Sequence, residues 1–329
     1  MSETKENAPW VTFRPEIKVL DCTVRDGGLI NNHLFEDDFV KAVYDTAIES
    51  GIDYMELGYK ASKTQFARKE HGDWKFCDED SMRRVVGDND NDTKLKLTAM
   101  ADAGKTDYKT DILPAEQSVL DCIRVATYAH QIPTAVDMIN DAHDKGYETC
   151  CNIMAISTVA DPEIDKALEI LAETPVETIV VVDSYGSLYH EQIRALVKKY
   201  VAMANATGKE VGIHTHNNMQ LAFANTIEAI IQGANRIDAT MLGLGRGAGN
   251  CPMELLLGFL KNPKFNLRPV FKLLQDHLMP MRRTKEWGAL IPYVVTGLLN
   301  QHPRAAMRVR TTEEKNQFLE FYDACTTEA

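Results

Sequence analysis

Eight short apolar segments alternate with longer stretches of helical spacing, and this alternation leaves few folds open to the chain. Alternating strands and helices predict βαβ units with right-handed crossovers around a parallel sheet. Thr178–Val182 is apolar almost throughout, which is typical of a parallel strand covered on both faces. The predicted strands are Ile17–Cys22, Tyr54–Leu57, Leu95–Met100, Ser118–Val125, Glu148–Met154, Thr178–Val182, Glu210–His214 and Arg236–Met241.

Eight such units match the size of a (β/α)8 barrel. We therefore predict an α/β protein with a TIM barrel over residues 15–262 and a C-terminal helical extension over residues 263–329. Capping signals and helical spacing predict helices over residues 161–173, 192–206 and 221–232, with Asp161 as an N-cap before Pro162. The apolar segment Trp287–Leu299 is expected to pack against the barrel or to make a subunit contact.

A doubly wound sheet is the rival fold, and it normally opens with a glycine-rich turn after its first strand. Here that turn is Thr23–Gly28, which carries Arg25 and Asp26 where a dinucleotide fold needs small residues. The barrel is therefore favoured.

Composition excludes several classes of protein. A net charge of −12 argues against a nucleic-acid-binding surface, which is usually basic. No apolar run is long enough to span a membrane, and residues 1–10 lack the apolar core of a signal peptide, so we expect a cytoplasmic protein. The seven cysteines are scattered without a CxxC pair, which favours buried thiols over a zinc ribbon or a disulfide framework.

One basic segment, Tyr59–Lys75, departs from the acidic average. Two interpretations stay open: a solvated loop, and a lid that collects an anionic substrate. Lys60 is the candidate substrate-binding residue of the segment, which carries five basic residues: Lys60, Lys63, Arg68, Lys69 and Lys75.

Two charged motifs stand where a barrel holds its catalytic groups, at the C-terminal ends of strands. Asp26 follows the first strand and offers a hard oxygen ligand, and Arg25 beside it can clamp a carboxylate or stabilise an enolate oxygen. The alternative is an Arg–Asp surface turn. His214 and His216 end the seventh strand, and side chains two residues apart share one face, so both imidazoles can reach one ion.

A glycine-rich loop, Gly243–Asn250, follows the eighth strand. It can bind phosphate, be a plain flexible loop, or close under a metal and present Asn250; we favour the last interpretation. Further candidates are Glu56, which ends the second strand and either fixes Arg25 or is a carboxylate of the barrel interior, and Tyr185, an acid or hydrogen-bond donor after the sixth strand.

One aspartate and two histidines with open positions suit a catalytic ion. Catalytic zinc sites more often use a majority of histidine or cysteine ligands. We therefore expect Mn²⁺ or Mg²⁺ rather than Zn²⁺, with the imidazoles favouring manganese.

Taken in order, these motifs resemble the DRE-TIM metallolyase superfamily (HMGL-like) over about residues 17–260. Its members include HMG-CoA lyase, 4-hydroxy-2-oxovalerate aldolase, and the 2-isopropylmalate and homocitrate synthases. The Gly243–Glu254 loop and the tail around His302 are closest in style to the aldolases, in which a tyrosine or histidine of the helical extension reaches the site. The motifs that carry the resemblance are Thr23–Gly27, Glu56, His214–Asn217 and Gly243–Asn250.

The resemblance implies roles for these residues. Asp26, His214 and His216 are the implied metal ligands, with Asn250 a further ligand or a neighbour that contacts substrate. The implied catalytic set is Arg25, which stabilises an enolate, Glu56, which holds that arginine, and Tyr185 or His302.

This chain departs from the aldolases at one position. They carry a basic histidine two residues beyond the glycine of Arg-Asp-Gly, where this chain has Leu29. The base is therefore unassigned, with candidates His33, Tyr185, Tyr293 and His302.

The expected function is that of a divalent-metal-dependent aldolase that cleaves a 2-oxo acid, in particular a 4-hydroxy-2-oxo acid, through a pyruvate-type enolate. One alternative is an acetyl-CoA-dependent Claisen condensation, although such synthases usually carry a longer C-terminal region. Another is a non-catalytic anion-binding subunit. The resemblance also implies a homo-oligomer that pairs with an aldehyde dehydrogenase.

Overall fold

The computed structural model describes residues 14–89 and 94–327. Eight parallel strands close into a barrel in the order of the sequence, and the last strand returns to pair with the first. The predicted TIM barrel is confirmed, and each predicted strand overlaps an observed one. The strands are β1 Lys18–Asp21, β2 Tyr54–Tyr59, β3 Lys96–Asp102, β4 Cys122–Thr127, β5 Glu148–Ile153, β6 Thr178–Asp183, β7 Glu210–Thr215 and β8 Arg236–Ala239.

Helices separate the strands and continue after β8. They are α1 Thr23–Gly27, α2 Asp37–Glu49, α3 Glu79–Val86, α4 Tyr108–Asp111, α5 Ile132–Asp144, α6 Asp161–Ala172, α7 His190–Thr207, α8 Ala222–Gln232, α9 Met253–Leu260, α10 Leu267–Leu273, α11 Met279–Met281, α12 Ile291–Leu298, α13 Arg304–Val309 and α14 Phe318–Thr327. Single 3-10 turns, Gly28–Ile30 and Asp73–Lys75 among them, occupy several of the loops.

The helix that starts near residue 161 shows a small error in the sequence-based expectation. Asp161 was predicted as the N-cap, but it is the first helical residue, and Ala160 precedes it in an extended conformation. Pro162 therefore lies in the first turn, where its missing N–H costs no intrahelical hydrogen bond.

The hydrophobic core lies on both faces of the barrel sheet. Every residue of β2, β4 and β6 is buried, as expected for parallel strands that have a filled interior on one side and helices on the other. The helix α12 lies at the carboxyl end of the barrel, where Asn218 Nδ2 donates to the carbonyl oxygen of Tyr293 at 3.4 Å. In residues 14–89 and 94–327, no helix has both the length and the apolar character needed to cross a bilayer.

Candidate metal centre

Three predicted ligands from distant parts of the chain meet at the carboxyl end of the barrel. Asp26 lies in α1 directly after β1, and His214 and His216 lie at the end of β7. The Oδ2 atom of Asp26 is 3.4 Å from His214 Nε2 and 3.7 Å from His216 Nε2. One ligand atom from each residue lies within 4.8 Å of the other two, which is a spacing that one divalent ion can bridge.

Both imidazoles are oriented so that Nε2 faces this point. His214 Nδ1 is 3.0 Å from the Asp238 carboxylate, and His216 Nδ1 is 3.1 Å from the carbonyl oxygen of Asp183. With the Nδ1 proton donated to these oxygens, the lone pair of each Nε2 is left for a metal.

The ionisation of Asp26 also suits a cation. Burial raises the pKa of its carboxyl group, but the Arg25 guanidinium and the two neighbouring imidazoles hold that pKa well below its ordinary range. Asp26 is therefore an anion at neutral pH.

The loop Gly243–Asn250 closes against these ligands. Asn250 pairs with His216 in an isolated bridge, and Asn217 N donates to the carbonyl oxygen of Gly249 at 2.8 Å. Asn250 Nδ2 donates to Asp26 Oδ1 at 3.0 Å. A Cβ atom at Gly245 would collide with that amide nitrogen, which is why the loop needs glycine here.

Unpartnered atoms at this point match the donor set of a metal site. Among the described residues, His214 Nε2 and Asn250 Oδ1 are buried without a hydrogen-bond partner. An imidazole nitrogen and an amide oxygen beside an ionised carboxylate are groups that can ligate a divalent cation. The residues present therefore fit a divalent cation.

A buried network of charges supports the centre from inside the barrel. Arg25 donates from Nε to Glu56 Oε2 at 2.6 Å and from NH1 to Asp26 Oδ2 at 2.6 Å. Arg124, on β4, donates to the same oxygen of Glu56 at 2.9 Å and to Asp238 at 2.5 Å. The network thus runs from Arg25 to the carboxylate that orients His214.

The metal point opens into a cleft of about 1030 Å³, including its mouth. Arg25, His214 and His216 form one part of its wall, and Tyr185 and His302 line it from the loop after β6 and from the C-terminal extension. The rings of Tyr185 and His302 lie 5.6 Å apart, nearly edge to face. The structure therefore brings the predicted tyrosine and histidine to the same cleft as the predicted ligands.

The other candidate bases lie elsewhere. His33 is buried, and its Nε2 is 3.1 Å from the carbonyl oxygen of Arg25. Tyr293 is buried beneath Gly247 and packs with Ala248. Neither lines the cleft, whereas Leu29 does.

Lys60, predicted to bind substrate, is not among the residues that line the cleft. Its side chain is buried, and its ammonium donates to the carbonyl oxygen of Cys77 at 2.7 Å and lies 3.4 Å from Glu79 Oε1. Those partners satisfy its charge. The lysine of the basic segment that lines the cleft is Lys75.

Arg124 and Asp238 were missed by the sequence-based interpretation. Each lies in the middle of a strand, at a position facing the barrel interior. The sequence signal that could have found them is a charged residue within a buried parallel strand, because a buried charge must be paired. All seven cysteines are buried, as predicted.

Comparison with known proteins points to one family. The family model described as HMGL-like matches residues 16–275. Oxaloacetate decarboxylase of Mycobacterium tuberculosis is 32% identical over 74% of this chain and 69% of that protein. The 4-hydroxy-2-oxovalerate aldolase of Bacillus cereus is 26% identical over 89% of this chain and 86% of that protein. A solved structure, the N-terminal domain of a candidate aldolase from Bacteroides vulgatus, has a TM-score of 0.77 at 27% identity, covering 91% of this chain and 98% of that one.

Proposed function

The chain belongs to the HMGL-like family and is a metal-dependent carbon–carbon lyase, and within that class we propose that it cleaves a 4-hydroxy-2-oxo acid. The convergence of Asp26, His214 and His216 beside Arg25 carries the proposal. The relative named 4-hydroxy-2-oxovalerate aldolase supports the substrate class.

Asp26, His214 and His216 would hold the ion, and the unpartnered Oδ1 of Asn250 is available to join them. When bound, the ion supplies Lewis-acid polarisation of the substrate's keto oxygen. We propose Mn²⁺ or Mg²⁺, because a carboxylate and an amide oxygen beside two imidazoles form a mixed oxygen and nitrogen donor set.

Arg25 is positioned to stabilise the enolate that carbon–carbon cleavage leaves behind. Glu56 and Asp26 hold its Nε and NH1, which fixes the plane of the guanidinium. Its NH2 group, without a hydrogen bond to the described residues, is left for the enolate oxygen, where a charge-assisted hydrogen bond is worth most. Glu56 is therefore a positioning residue, and Arg25 is the group that touches substrate.

Tyr185 and His302 are our candidate groups for protonating the enolate. The Nδ1 atom of His302 accepts a hydrogen bond from the backbone N–H of Arg304 at 3.1 Å, so the neutral ring carries its proton on Nε2. Burial and nearby cations lower the pKa of the ring, which keeps it neutral. Tyr185 packs against it at the wall of the cleft. The Tyr185 hydroxyl supplies the proton to the enolate carbon and recovers one from solvent, because a neutral imidazole that gave up its Nε2 proton would be left as an imidazolate.

Decarboxylation of a 2-oxo acid is a second candidate reaction, favoured by Leu29. A retro-aldol step needs a base for the 4-hydroxyl proton, and the apolar Leu29 lines the cleft where related aldolases carry a histidine. Loss of carbon dioxide from a carboxylate β to the keto group needs no such base, and it leaves the same enolate for Arg25 to stabilise and Tyr185 to protonate. The relative named oxaloacetate decarboxylase supports this candidate.

A substrate panel distinguishes these reactions. The protein, loaded with Mn²⁺ or Mg²⁺, is given 4-hydroxy-2-oxopentanoate or oxaloacetate, and pyruvate is followed with lactate dehydrogenase. Asp26→Asn protein is the blank, because free metal decarboxylates oxaloacetate unaided. We expect metal-dependent pyruvate release from the hydroxy acid. Release from oxaloacetate alone would establish the second candidate, and release of free thiol from acetyl-CoA would instead indicate a Claisen condensation.

The homo-oligomer and the aldehyde dehydrogenase partner stay predictions. Light scattering tests the first. Co-purification of a dehydrogenase without turnover of any oxo acid would favour the non-catalytic alternative.

A further inference from the structure

The wall of the cleft formed by β2, β3 and their loops carries a lysine that the proposed mechanism does not use. Lys75 ends the 3-10 turn Asp73–Lys75, is 8% exposed, and lines the same cleft as Arg25 and the metal ligands. It belongs to the basic segment Tyr59–Lys75, which the sequence allowed to be either a solvated loop or a lid that collects an anion.

The Lys75 ammonium is held by aromatic rings and not by a carboxylate. Its Nζ lies 4.2 Å from the ring centroid of Tyr59 and 4.5 Å from that of Phe66. Within residues 14–89 and 94–327, no hydrogen bond or ion pair to Nζ is formed. An ammonium group has three hydrogen-bond donors, and a buried ammonium group without an acceptor is unusual.

The charges around Lys75 compensate it only in part. Asp102, a carboxylate of the same wall, pairs with Lys105 Nζ at 3.7 Å and forms no ion pair with Lys75. The pKa of Lys75 is lowered, because burial and the charge of Lys105 outweigh the opposing charge of Asp102. The two aromatic faces oppose that effect, because a ring face attracts a cation and not a neutral amine. The ring faces thus favour the charged ammonium, which faces the cleft with its donors left for an anion.

Lys75 and Arg25 share Tyr59, and this limits the distance between them. The Cζ atom of Arg25 lies 5.9 Å from the same ring centroid that Lys75 Nζ approaches at 4.2 Å. The two cations are thus no farther apart than the sum of those distances, which a short diacid can span. The three N–H donors of the Lys75 ammonium can pair with a carboxylate at that distance.

We propose that Lys75 binds a second carboxylate of the substrate, so that the natural substrate is a 2-oxo diacid whose 2-oxo end lies at Arg25 and the metal point. This inference rests on the proposed function for the placement of the 2-oxo end. It assigns the basic segment the role of selecting a doubly charged substrate, with Lys75 as the residue that makes the contact.

The test uses two unreactive ligands of equal chain length, 2-oxoglutarate and 2-oxovalerate, which differ only in the distal carboxylate. Titration calorimetry on the Mn²⁺-loaded protein should show 2-oxoglutarate binding at least about tenfold more tightly. Lys75→Met should abolish the preference while leaving Mn²⁺ binding unchanged, and Lys75→Arg should retain most of it. Lys63→Met is the matched control, because Lys63 lies in the same segment but is exposed and paired with Asp78.

Equal affinity of the wild type for both ligands, or binding of neither, would overturn the proposal. So would a preference that survives in Lys75→Met, or an equal loss of affinity for both ligands in that variant, which would indicate a structural role. A Lys75-dependent preference in a protein that turns over no oxo acid would refute the proposed function and leave the carboxylate site established.

Discussion

Arg124 NH2 lies 2.5 Å from Asp238 Oδ2 inside the barrel, and the two side chains are 1% and 3% exposed. The same guanidinium lies 2.9 Å from Glu56, which holds Arg25, while Asp238 orients His214. One buried cation therefore joins the residue proposed to stabilise the enolate to a residue proposed to bind the metal.

Arg124→Met should destabilise the protein and weaken metal binding together. It leaves Glu56 and Asp238 buried without their shared cation, and removing one partner of such a pair costs about 3–5 kcal/mol. With His214 less firmly oriented, affinity for Mn²⁺ should fall about 10- to 100-fold. Urea denaturation and calorimetry measure the two effects.

The control for Arg124 is Arg194→Met, which removes an exposed ion pair with Glu228. It should leave both the denaturation midpoint and the Mn²⁺ affinity unchanged. If Arg124→Met bound Mn²⁺ as tightly as the wild type, the network would be a structural feature without influence on the metal.

Asp26→Asn should remove the metal site while keeping the fold. The amide is nearly isosteric but cannot supply the anionic oxygen that faces both imidazoles, so we expect Mn²⁺ affinity to fall by at least about 100-fold. Elemental analysis after dialysis reads this out without any assay of activity. Asp45→Asn, at an exposed helix position, is the control. Full metal content in Asp26→Asn would refute the ligand assignment.

The sequence predicted the barrel because the signals for it are local. Each strand is a short apolar run, and the two ligands on β7 stand two residues apart, so the period of a strand alone places His214 and His216 on one face. Asp26 could be predicted from the sequence for the same reason, because it directly follows β1.

What the sequence did not predict depends on contacts between distant strands. Arg124 and Asp238 are 114 positions apart, and only closure of the barrel makes them partners. Lys60 and Lys75 look alike in the basic segment, yet Glu79 and a backbone carbonyl satisfy one and aromatic rings hold the other. Composition cannot distinguish these two lysines, because they differ only in whether a hydrogen-bond acceptor lies within reach of the ammonium.

Gly245→Ala should distort the metal centre through Asn250. A Cβ at position 245 would collide with Asn250 Nδ2 and lie 3.0 Å from Asp26 Oδ1. Because the loop is also fixed by the bridge between Asn250 and His216, it cannot retreat freely. We expect Mn²⁺ affinity to fall about 10-fold or more.

Gly258→Ala is the matched control for Gly245, because Gly258 lies in α9 with its nearest neighbour at 4.0 Å. That variant should be neutral or more stable by about 0.5–1 kcal/mol, since alanine favours the helix. Unchanged metal binding in Gly245→Ala would show that the loop adjusts without moving Asn250.

Asp21 makes the stability of the barrel depend on pH. Its carboxyl group is fully buried at the end of β1, where it accepts hydrogen bonds from the backbone and hydroxyl of Thr23, each at 2.8 Å. Burial outweighs these bonds and raises the pKa of Asp21 from 3.8 to about 7. The folded protein therefore keeps a proton on Asp21 between these two pH values, whereas the unfolded chain releases it.

The contribution of Asp21 to the free energy of unfolding is therefore fully present below about pH 4 and is lost as the pH rises through about 7. Asp21→Asn, which stays neutral, should therefore gain stability relative to the wild type as the pH rises from 5 to 8, by about 3 kcal/mol. Urea denaturation of both proteins across this range measures the difference, with Asp38→Asn, an exposed position, as the control. A difference between wild type and Asp21→Asn that is the same at pH 5 and pH 8 would mean that Asp21 is ionised in the folded protein, because the Thr23 hydrogen bonds would then have offset its burial.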